Sequence, residues 1–95
     1  MAASIGDRVL ALQADGRDEE SVAAAEEAEA IFEQIGDAVG VVTAQANRAL
    51  LLHRLHRTAE ARALIARARG AAEEHGFTDL RHRIQAISQR IDRRQ

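Results

Sequence analysis

Residues 37–76 repeat, without gaps, a pattern laid down forty residues earlier. Shifted by forty, Leu10 falls on Leu50, Leu12 on Leu52, Ala25 on Ile65, Ala28 on Ala68 and Gly36 on Gly76. Glu33-Gln-Ile-Gly36 falls on Glu73-Glu-His-Gly76, and the segment after Gly76 begins the pattern a third time. A repeat of this length built from two helices cannot bury its apolar face by itself and must stack on its neighbours. The helices follow from composition and spacing. The chain has no Pro and 21 Ala among its 95 residues, which favours helix nearly throughout.

Five helices are predicted. The first spans 4–14, opened by a box-like Ser4-Ile-Gly-Asp7, with Ile5, Val9 and Leu12 on one face. The second spans 18–35, with Asp18 as cap and Glu19 and Glu20 where the helix dipole favours negative charge. Its apolar stripe is Ala25, Ala28, Phe32 and Ile35, widened by Val22 and Ile31, and Glu26, Glu27, Glu29 and Glu33 are expected to face water. The third, 38–55, is capped by Asp37 and is apolar on several sides, from Val42, Ala46 and Ala49 to Leu50, Leu51, Leu52 and Leu55. Such a helix belongs between neighbours. The fourth, 58–75, is expected to be capped by Thr58 and to turn Ala61, Leu64, Ile65, Ala68 and Ala72 inward. Gly70 within it is either tolerated or allows a close backbone approach. The fifth, 78–94, carries a thin seam of Leu80, Ile84, Ile87 and Ile91 in polar surroundings, so it closes the stack on one side. One domain over 1–95 is therefore expected, with repeats at about 3–36 and 37–76 and a closing helix.

Several classes of function find no support. Without Cys there is no disulfide, thiolate ligand or cysteine nucleophile. No apolar run approaches the ~18 residues of a membrane span, and residues 1–4 do not open a secretion signal, so a cytoplasmic location is expected. No serine sits in a nucleophile elbow and no glycine-rich loop could cradle phosphate. The carboxylates of Asp18-Glu-Glu20, Glu26-Glu27 and Glu73-Glu74 lack partners that would separate two pKa values. His53 and His56, three apart, could reach one metal ion. Two ligands are too few, and Arg54 and Arg57 repel a cation. No enzyme activity, cofactor or metal is expected. His53 and His56 are expected to be exposed or half-exposed.

Charge is divided unevenly. Residues 1–47 carry 2 Arg and 10 acidic residues, a net −8, whereas residues 48–95 carry 11 Arg and 5 acidic residues, a net +6. Either these are solvated faces that happen to differ, or the halves favour self-pairing or an oriented partner. Arginines could hold phosphates, but the chain has no Lys, no Trp and no Tyr, and its balance is acidic. Nucleic acid is therefore a poor match, and an acidic protein surface a better one.

The whole pattern resembles the tetratricopeptide repeat over roughly residues 3–91. The family's small residue in the first helix matches Ala49 and Val9, and its large residue before the turn matches Leu52 and Leu12. Its turn glycine matches Gly16 and becomes His56 in the second repeat. Its second-helix positions match Ala61 and Ser21, then Ala68 and Ala28. Ala30-Ile-Phe-Glu-Gln-Ile-Gly-Asp37, Asn47-Arg-Ala-Leu-Leu-Leu and Thr58-Ala-Glu-Ala-Arg62 look like the long-period variety carried by bacterial transcription activators and signalling ATPases. The family's aromatic positions hold Ala or Leu here, and its Pro is missing; an ordinary antiparallel helix bundle is the alternative.

The resemblance implies a protein-interaction or scaffold module with a groove lined by the first helix of each hairpin. Those positions are Asp7, Leu10 and Gln13, then Asn47, Leu50, His53 and Arg54. Asn47 could bond an extended peptide backbone, and a peptide or small molecule sensed in the groove is the alternative function. The basic pairs with which some relatives clamp a C-terminal carboxylate are absent at these positions. Two and a half repeats leave end helices with open faces. A homodimer is expected, through Ile5, Val9 and Leu12 or through Ile84, Ile87 and Ile91, or by pairing the acidic with the basic half.

Overall fold

The computed structural model describes residues 18–93. The expected first helix, with Ile5, Asp7, Val9, Leu10, Leu12 and Gln13, and the glycine turn at Gly16 lie outside the described residues. Among the described residues the chain is all-α. Four helices follow one another: α1 (Asp18–Ile35), α2 (Ala38–Arg54), α3 (Thr58–His75) and α4 (Thr78–Arg93). None is long and apolar enough to cross a membrane.

The connections share one device. Gly36, His56 and Gly76, spaced twenty apart, all take positive φ, at 74°, 62° and 72°. The next residue then donates its N–H back to a helix carbonyl: Asp37 to Phe32, Arg57 to Leu52 and Phe77 to Ala72, each at 2.9 Å. This is the Schellman closure, which satisfies carbonyls orphaned at a helix C-terminus. Glycine adopts it freely, and His56 does so against a Cβ penalty. Asp37 also caps α2, its Oδ1 accepting from the Gly40 N–H at 3.0 Å. Thr58, expected as a cap, is instead the first residue of α3. Arg57 holds the cap position without a side-chain cap bond, and its guanidinium turns to Glu60 at 2.6 Å.

As its composition requires, α2 is the centre. It packs against α1, α3 and α4; α3 packs on α4, and α1 makes no close backbone approach to α3 or α4. Ala46, Ala49 and Leu51 of α2 are completely buried, against Ala61, Leu64, Ile65, Ala68 and Ala72 of α3 and Val22, Ala24 and Ala25 of α1. Alanine at so many contacts lets helix axes come close, because only a methyl separates the backbones.

Three further expectations change, and the choice left open at Gly70 is decided. Ile84, Ile87 and Ile91 are not a surface for self-association: they are 0%, 5% and 1% exposed, within the same core cluster as α2 and α3. The seam that looks thin in sequence is fully consumed by two neighbours at once. Ile35, the last residue of α1, leaves its stripe and is 66% exposed. Glu29 is buried rather than solvated. It accepts from Arg48 Nη1 at 2.6 Å and from Gln45 Nε2 at 3.2 Å, tying α1 to α2. Gly70 is exposed, with nothing near where a Cβ would stand, so it is tolerated rather than required.

Candidate interaction surface

On α2, Asn47, Leu50 and Arg54 follow one another at helical spacing on one side, with His53 beside them. Asn47 and Leu50 are half-buried and Arg54 is exposed. His53 is buried, at 8% exposure, contrary to the exposed or half-exposed position expected of it. Because α4 packs against α2, this side does not end at α2. Arg90 and Arg93 of α4 join Leu50, His53 and Arg54 around a depression of about 300 Å³. One turn further along, Arg83 donates from Nη2 to the Asn47 amide oxygen. The structure thus brings Asn47, Leu50, His53 and Arg54 together and adds Arg83, Arg90 and Arg93, which in the sequence count only toward the basic half of the chain.

A signal for two of them was present. Extended by one more step of forty, the repeat sets Arg90 under Leu50 and Arg93 under His53. The closing helix therefore supplies the first-helix positions of a third repeat, and the shared face continues onto it. Arg83 could not be found in this way, because its tie to Asn47 is a tertiary contact.

The electrostatics are lopsided. Arg54 Nη2 lies 3.3 Å from Asp18 Oδ1, at the start of α1, and is partly neutralised. Arg83, Arg90 and Arg93 make no ion pair among the described residues. Guanidinium groups carry planar, forked donors that fit carboxylates, and they remain charged at any physiological pH. Around a half-buried leucine they make a face that attracts acidic groups and offers some apolar contact. Asp79, one turn before Arg83, lies at the far end of this face of α4.

Elsewhere the surface is different in kind. An apolar trough of about 230 Å³ runs between α1 and α2, lined by Ala25, Ala28, Phe32, Val39, Gly40 and Thr43 among others. In it the Phe32 ring lies against the α2 backbone at Gly40, where a Cβ would stand 2.4 Å from the ring. His75 stacks on Phe77 with ring centroids 5.2 Å apart, and His82 is exposed. Among the described residues, no group of three or more His, Cys, Asp or Glu side chains gathers as metal ligands would. Compared with models of protein families, with curated proteins and with solved structures, the chain matches none.

Proposed function

We propose that the chain is a non-enzymatic protein-interaction module of tetratricopeptide-like design, alone or within a larger bacterial regulator. It uses the face shared by α2 and α4. One observation carries this reading. Asn47, Leu50, His53 and Arg54, the groove positions of the repeat, meet Arg83, Arg90 and Arg93 on one continuous surface. A face of guanidinium donors around an apolar centre, carried on two packed helices, suits recognition of another protein.

A photo-crosslinking residue tests it directly. Placed at Asn47 or Leu50 in the cells that make this protein, it should yield a discrete protein adduct. The same residue at Ala63, exposed on α3, should not. Adducts no more abundant at Asn47 and Leu50 than at Ala63 would refute the reading.

A further inference from the structure

The chain carries a surface that matches its own arginine face. On α1, Glu19, Ala23, Glu26, Ala30 and Glu33 follow at intervals of four and three residues and lie on one side of the helix. All five are exposed. On α4, Arg83, Ala86, Arg90 and Arg93 follow at intervals of three and four, and all four are exposed. Glu26 to Glu33 and Arg83 to Arg90 are each seven residues apart, about 10.5 Å along a helix axis. The carboxylates of one face therefore fall in register with the guanidinium groups of the other. The residues between the charges are alanines, small enough to let two helix axes close to about 8–10 Å. None of Glu19, Glu26, Glu33, Arg83, Arg90 or Arg93 makes an ion pair among the described residues.

Within one molecule the two faces cannot meet, because α1 makes no close approach to α4 and α2 stands between them. We infer that a second copy of this chain docks the Glu19–Glu26–Glu33 face of its α1 on the Arg83–Arg90–Arg93 face of α4. This deepens the reading above by naming the partner, and it rests on that reading. The contact joins different helices in the two copies. A closed pair therefore repeats it about a two-fold axis, and without that axis it runs on head to tail. Exposed ion pairs are individually weak, so the association is concentration-dependent and sensitive to salt.

Charge reversal with complementation is the test. The association of Arg83→Glu/Arg90→Glu, of Glu26→Arg/Glu33→Arg and of their equimolar mixture is followed by light scattering with refractive-index detection, since the chain has no Trp or Tyr. The wild-type chain should associate at about 0.1 M salt and separate at about 1 M, as the Debye length falls from about 10 to about 3 Å. Each variant alone should bind itself at least about tenfold more weakly. The mixture should recover association, because each contact again joins opposite charges. All substituted positions are exposed, far-UV circular dichroism verifies that each variant folds, and recovery in the mixture is a second check. A wild-type chain monomeric in all conditions would overturn the inference. So would association indifferent to the reversals, or a mixture that fails to recover. A foreign-protein adduct at Asn47 or Leu50 alongside a monomeric chain would remove self-docking and leave the module reading standing. Absence of every adduct together with a monomeric chain would remove both.

Discussion

Among the described residues two glycines sit inside helices, and replacing them with alanine should have opposite effects. Gly40 is the informative one. A Cβ there would stand 2.4, 2.5 and 2.8 Å from Cδ1, Cγ and Cε1 of Phe32, against about 3.5–4.0 Å for a favourable carbon–carbon contact. Because Cγ is among the clashing atoms, rotating the ring about its own axis does not relieve the overlap; the whole side chain must leave its place. Overpacking of this sort costs about 1–3 kcal/mol. Alanine restores at most about 1 kcal/mol of helix propensity relative to glycine. Gly40→Ala should therefore destabilise the fold by about 1 kcal/mol, lowering Tm by about 4–8 °C for a domain of this size. Phe32→Ala removes the obstacle. In that background Gly40→Ala should raise stability by about 0.5–1 kcal/mol, so that the coupling between the two sites is about 1–3 kcal/mol. Urea unfolding followed by far-UV circular dichroism on the four chains of the cycle measures it. Equal stabilisation by Gly40→Ala with and without Phe32 would refute the reasoning, because the ring would then not be seated on the α2 backbone.

Gly70→Ala, in the same assay, should stabilise by up to about 1 kcal/mol, because the site is exposed and nothing meets the added methyl. His56→Gly should raise the unfolding free energy measured in urea by a few tenths of a kcal/mol or more, since relief of the Cβ penalty at φ 62° outweighs the added freedom of the unfolded chain. Glu29→Ala should cost about 2 kcal/mol, leaving Gln45 and the Arg48 guanidinium without their acceptor between α1 and α2; an effect near zero in thermal unfolding would show that the pair is solvated. Ile84→Ala should cost about 3 kcal/mol of folding stability. Loss of self-association by a variant that retained full stability would return that residue to the surface.

The helices and their order were legible in the chain because they depend on local rules. Alanine content without Pro, apolar spacing on 18–35, 38–55 and 58–75, and glycine at 36 and 76 each act within a few residues. The central place of α2 was legible as well, since a helix apolar on several sides has nowhere else to go. What the sequence left undecided was which polar side chain meets which neighbour. Glu29 reads as one more surface carboxylate until α2 brings Gln45 and Arg48 against it. Ile84, Ile87 and Ile91 read as a spare seam until α2 and α3 are seen to cover it. The arginines of α4 read only as part of a basic half of the chain until packing sets Arg90 and Arg93 beside Leu50 and Arg54, and Arg83 on Asn47. Periodicity fixes the face of a helix on which a residue lies, because that depends on the backbone alone. The helix that arrives against that face is chosen by burial summed over the whole molecule, and only the tertiary structure reports it.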